Sequence, residues 1–220
     1  MEATITVLQS ASRRPVQKTA ATKFSTEVAE GSHAREVDVE KISRAISMIL
    51  EAIGEDTQRP GLLETPARVA RMYQELCYAV GVDAASEITC KFNEGTEGLV
   101  LVKDITFTSL CEHHLIPFSG VAHIAYLPAA GTITGLSKLA RVVELTARRL
   151  QVQERMTEEI ADAILTGIEP RGVCVMLEAE HMCMSMRGIK KPGSKTLTTA
   201  FRGQFETDKE LRNEVLGLLK

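Results

Sequence analysis

From Gly98 onward the apolar residues switch from a period of two to a period of 3.6 and back again, and this succession limits the fold more than any other feature. Segments at roughly 99–109 and 118–127, the second ending at Pro128, are β-rich and read as a hairpin with a long connection. Ser137 to Gln151 then places Leu139, Val142, Val143, Thr146 and Leu150 on one helical face, and 155–168 places Met156, Ile160, Ala163, Ile164 and Ile168 on another. Val173, Val175, Leu177 and Ala179 alternate over 172–180, a further strand spans about 197–206, and Asp208 caps a closing helix to Leu219. The order predicts an α+β domain over 98–220: a four-stranded antiparallel sheet with two helices, ββααββ. Such a sheet has two open edges, which invite pairing with other chains. An oligomer that closes sheets into a barrel would satisfy them, although periodicity alone does not prove one.

An N-terminal helical region is expected over 37–97. Ile42, Ile46, Ile49, Leu50 and Ile53 form a stripe that stops at Gly54; then Thr65 is the expected N-cap, with Pro66 first in a helix that buries Val69, Met72, Tyr73 and Leu76. Residues 1–36 have no sustained period and read as a disordered tail, with a transit peptide or regulatory arm as the competing readings.

The 220 residues carry a formal charge of −3. Arg13, Arg14, Lys18 and Lys23 oppose only Glu2 in the first 26 residues, so the body is more acidic than the total, about −6. That argues against nonspecific nucleic-acid binding and leaves phosphate recognition to a local cationic cluster. No apolar run is long enough to span a bilayer. The five cysteines include no CxxC pair and follow no apolar leader, which predicts a reducing, cytoplasmic setting rather than a disulfide framework.

Two short segments concentrate the chemistry, Cys111-Glu112-His113-His114 and His181-Met182-Cys183, each at the end of an expected strand. Thiolate and imidazole are the preferred zinc ligands, and a catalytic zinc takes three protein groups plus water. Cys111, His114 and Cys183 can supply the three; a closed structural site recruiting His113 or His181 is the rival. Left unligated, those two histidines suit proton transfer at neutral pH. Cys77, Cys90 and Cys174 lack this company and read as inert. Ser137, an expected N-cap, Lys138 and Arg141 one turn on, and Arg187 form a candidate anion cluster; a solvated cationic face is the competing reading. Gln153 and Glu154 lie in an expected turn between the helices, where a carboxylate could meet the donor edge of guanine, or simply face solvent.

In combination these motifs resemble the GTP cyclohydrolase I family. The resemblance runs from about Val37 and rests on Gly61-Leu62-Leu63-Glu64-Thr65-Pro66-Ala67-Arg68, Cys111-Glu112-His113-His114, Gly135-Leu136-Ser137-Lys138, Gln151-Val152-Gln153-Glu154-Arg155, and His181-Met182-Cys183-Met184 leading into Met186-Arg187-Gly188. It implies the tunnelling fold, Zn2+ on Cys111, His114 and Cys183, proton transfer by His113 and His181, a guanine anchor at Glu154 helped by Gln153, and triphosphate contacts from Ser137, Lys138, Arg141, Arg187 and Arg68. It further implies opening of the GTP imidazole ring at C8, release of formate, formation of 7,8-dihydroneopterin triphosphate, and a homodecamer with sites at subunit junctions. Phe201-Arg202 departs from the smaller residues common in the family's final strand. The rival readings are another tunnelling-fold enzyme, such as a nitrile reductase, and a zinc-stabilised guanine-nucleotide sensor without turnover.

Overall fold

A computed structural model describes residues 35–219, so nearly all of the expected tail lies outside the described residues. Helix α1 (Val39–Ala52) begins at Asp38, whose carboxylate accepts from the Lys41 N–H at 2.8 Å, and the chain leaves it through Gly54 at φ +86. Helix α2 (Thr65–Leu76) packs on α1. Its cap is Glu64 rather than Thr65, which is already helical, and Pro66 falls in the first turn, where its missing N–H costs nothing. The expected buried face of α2 is also corrected: only Ala70 is buried, and Met72 is 42% exposed. No residue of α1 is buried, and Ile53 is 68% exposed. A period of 3.6 shows that a helix has an apolar face but not that its own chain covers that face.

After a 3₁₀ turn (Ala84–Glu87), β1 (Lys91–Asn93), β2 (Val100–Cys111), β3 (Pro117–Leu127) and β4 (Thr132–Thr134) follow. Then come α3 (Leu136–Ala147), β5 (Leu150–Gln151), α4 (Gln153–Ile168), β6 (Gly172–His181), α5 (Met182–Ser185) and β7 (Lys195–Gly203). The chain closes with α6 (Gln204–Thr207) and α7 (Lys209–Leu218), and Asp208 caps α7 by accepting from the Glu210 and Leu211 N–H groups. The main sheet has the order β5-β2-β3-β6-β7, and β2, β3, β6 and β7 are the four antiparallel strands expected.

Differences from the sequence reading cluster at the ends of elements. Helix α3 stops at Ala147 rather than Gln151, because Leu150 and Gln151 pair in parallel with Leu110 and Cys111 and add a fifth strand. Helix α4 starts at Gln153, so Gln153, Glu154 and Arg155 occupy its first turn instead of a loop. Helix α3 is capped by Gly135 and begins at Leu136, which removes Ser137 from the expected cap position. The small β1–β4 sheet was not expected.

Both faces of the main sheet are covered. Ala122, Ile124, Val173, Val175 and Leu177 meet Leu139, Val142, Val143, Met156, Ile160 and Ile164 of the helix pair. The alternate residues Ala125, Leu127, Cys174 and Met176 meet Phe205, Val215 and Leu219 on the far side. Each large apolar side chain so buried contributes roughly 1.5–3 kcal/mol. Phe201 lies beneath the Arg212 guanidinium, and Arg202 pairs with Asp162 and Glu158, so both departures from the family's final strand are anchored on neighbouring helices.

Candidate active site

The two motif segments meet because β2 and β6 flank β3, each ending at the same side of the sheet. Cys111 closes β2, and a tight turn follows: the Leu115 and His114 N–H groups both donate to the Cys111 carbonyl, and Leu115 takes φ +56. Across β3, strand β6 ends at His181 and runs directly into α5, which carries Cys183. The ligand atoms of Cys111, His114 and Cys183 all lie within 4.8 Å of one another. Tetrahedral zinc, with bonds of about 2.3 Å to sulfur and 2.0 Å to nitrogen, needs ligand atoms somewhat under 4 Å apart. The three residues fit such an ion after small side-chain rotations. Burial, followed by the neighbouring Cys111, pushes the Cys183 thiol upward, the cost a bound cation would offset by favouring thiolate.

His113 stands beside this group, its Nδ1 3.9 Å from the Cys111 sulfur. His181 is stacked flat on buried Phe118, with ring centroids 4.5 Å apart and planes 1° from parallel. Its Nε2 lies 2.8 Å from the Gln153 side-chain oxygen. Burial pushes the His181 pKa down, with Glu154 pulling the other way. Glu154 lines an open cleft of about 310 Å³ with Arg155, Glu158, Thr198 and Thr199. Arg187 donates to the Cys183 carbonyl at 3.3 Å.

The remaining cations lie elsewhere. Lys138 and Arg141 converge on the carboxylate of Glu87, at 3.6 and 3.7 Å, and Ser137 is exposed beside them. Arg68 is exposed on α2 and makes no ion pair among the described residues. The structure therefore unites Cys111, His113, His114, His181, Cys183, Gln153 and Glu154, with Arg187 adjoining, and holds Ser137, Lys138 and Arg141 as a separate group.

Several participants escaped the sequence reading. Phe118, Glu87, Thr157 and Thr198 carry no motif signal. Glu112 and Arg155 stood inside quoted motifs without a role. Arg155 donates to the Glu112 carboxylate, to the Leu150 carbonyl at 3.2 Å and to the Gln151 side-chain oxygen at 3.1 Å, while the Glu112 N–H donates to the Gln151 carbonyl at 3.0 Å. The turn bearing the thiol and imidazoles is thereby tied to the segment bearing Gln153 and Glu154.

Fold and site together define an α+β protein with a Cys-His-Cys group that could hold a metal ion, gathered where two sheet strands end. Residues 42–220 match the family model described as GTP cyclohydrolase I. The chain is 58% identical over 185 residues to GTP cyclohydrolase 1 of Geobacillus kaustophilus (strain HTA426), covering 84% of this chain and 98% of that one. It is 55% identical over 182 residues to GTP cyclohydrolase 1 of Streptococcus mutans serotype c, covering 83% and 95%. Among solved structures, archaeosine synthase QueF-Like in the apo form aligns with a TM-score of 0.42 at 17% identity, covering 49% of this chain and 96% of that one. The chain belongs to the GTP cyclohydrolase I family.

Proposed function

We propose that this chain hydrolytically opens the imidazole ring of GTP, releases formate and forms 7,8-dihydroneopterin triphosphate, using the residues gathered at the ends of β2 and β6. The convergence of Cys111, His114 and Cys183, with His113 and His181 beside them, carries this reading. Zinc held by Cys111, His114 and Cys183 would keep one position for water and lower its pKa toward neutrality.

The protein's own groups do the rest. His181 exchanges a proton with purine N7, and His113, beside Cys111, relays a second. Glu154 accepts from the guanine N–H and exocyclic amine along the cleft beside Thr198 and Thr199. Lys138, Arg141, Arg187 and Arg68 neutralise the triphosphate, and Ser137 donates a hydroxyl hydrogen bond to it. Lys138 and Arg141 converge on Glu87 rather than on the metal group of their own chain, and we assign them to the site of a neighbouring subunit. We take the assembly to be a homodecamer; the exposed apolar residues of α1 and α2 and the edge position of β7 support their being covered by further copies of the chain. We place it in the cytoplasm; among the described residues no helix is long and apolar enough to cross a membrane.

The test is to incubate zinc-loaded protein with GTP and follow formate and the dihydropterin together, comparing His181→Ala. Stoichiometric formation of both by the wild type, and its collapse in the variant, is expected. No turnover by metal-replete wild-type oligomer would exclude the reading.

A further inference from the structure

Gln153 is only 1% exposed, and its amide can be oriented one way only. One end lies 3.2 Å from the Leu177 carbonyl, 3.0 Å from the Thr196 carbonyl and 3.1 Å from the Thr198 hydroxyl. Carbonyl oxygens accept and cannot donate, so the amide nitrogen must occupy that end. The oxygen then faces His181 Nε2 at 2.8 Å. An amide oxygen also only accepts, so His181 must carry its hydrogen on Nε2.

The surroundings leave little freedom to reverse this arrangement. Thr157 donates to the Gln153 carbonyl at 2.7 Å, and its hydroxyl lies 2.6 Å from that of Thr198, so the backbone and the side chain of Gln153 are braced by one pair of threonines. Buried Phe118 fixes the plane of the His181 ring from one face. With both amide groups of Gln153 occupied inside the protein, neither is free for a guanine.

We propose that Gln153 is a positioning residue for His181: its buried amide holds the imidazole hydrogen on Nε2 and leaves Nδ1 as the atom that exchanges protons with substrate. This rests on His181 being the proton carrier, and it departs from the guanine-anchoring role that the family resemblance gives Gln153. Glu154, exposed in the next position, keeps that role alone.

Two measurements test it on the zinc-loaded full chain. In ¹⁵N-histidine NMR, with the His181 resonance assigned by its loss in His181→Asn, the wild type should show Nε2 as the hydrogen-bearing nitrogen; a bare Nε2 would overturn the proposal. In kinetics, Gln153→Met, which keeps the volume but offers no amide oxygen, should lower kcat by about 10- to 100-fold with KM for GTP changed less than about twofold. Placed in the His181→Ala background, the same substitution should leave GTP affinity by calorimetry unchanged. A rise in KM, or a loss of GTP affinity that persists without His181, would show that Gln153 holds the base instead. The NMR result stands even if Gln153→Met fails to fold or the wild type turns over no GTP, so failure of the proposed function and failure of this inference are separable.

Discussion

Gly120 sits where β3 and β6 approach most closely, and replacing it with Ala should damage the sheet that carries the site. A Cβ built at Gly120 would lie 1.9 Å from the Glu178 carbonyl oxygen and 2.6 Å from the Ala179 Cα, both backbone atoms that cannot swing aside. A carbon and an oxygen without a bond between them rest at about 3.3 Å or more, so the strands would have to part by more than about 1 Å. That separation breaks ladder hydrogen bonds on either side of the Gly120↔Ala179 pair, and each buried backbone group left without a partner costs roughly 1–3 kcal/mol. With overpacking included, the loss is on the order of 4 kcal/mol, a large share of a domain's usual margin. The damage also travels to the chemistry, because Phe118 pairs with His181 two positions further along the same ladder. Urea denaturation at fixed protein and zinc concentration should show the midpoint falling by about 2 M for a slope of about 2 kcal/mol per molar. Gly217→Ala in α7, where among the described residues the added Cβ would meet nothing within 4 Å beyond its chain neighbours and its own helix backbone, serves as the control and should be neutral or slightly stabilising. A Gly120→Ala protein with the wild-type midpoint would refute the reasoning.

Two further outcomes are expected. Arg155→Ala should weaken zinc binding by about tenfold in chelator competition, because it removes the side-chain bridge from Glu112 to Leu150 and Gln151 and leaves only backbone bonds to tie the turn; an unchanged zinc affinity would show that those backbone bonds hold the turn by themselves. His123 is buried and accepts from the Asp104 N–H at 3.1 Å, and burial lowers its pKa from the ordinary 6.5. The folded state thus binds the proton less readily than the unfolded chain. Its contribution is complete above about pH 6.5 and is lost as pH falls through the lowered folded value. His123→Gln should flatten the decline in melting temperature over that window, and an equally steep decline would assign the acid sensitivity to other groups.

Much of this protein was determined by its sequence. The alternation in β2, β3, β6 and β7 and the stripes of α3 and α4 set the ββααββ order, because the spacing of apolar residues dictates which faces a sheet and a helix can bury. The Cys-His-Cys group was legible for a similar reason: Cys111, His114 and Cys183 stand in two short segments that concentrate the side chains zinc prefers, and the fold brings their ligand atoms within 4.8 Å of one another. Tertiary structure alone decided what partners each group finds. It left the stripes of α1 and α2 uncovered and drew Lys138 and Arg141 onto Glu87. It extended α4 back to Gln153 and aimed that amide at His181 across residues far apart in the chain. Periodicity and residue type are local properties, whereas hydrogen-bond partners and burial depend on which distant segments are brought within a few ångströms.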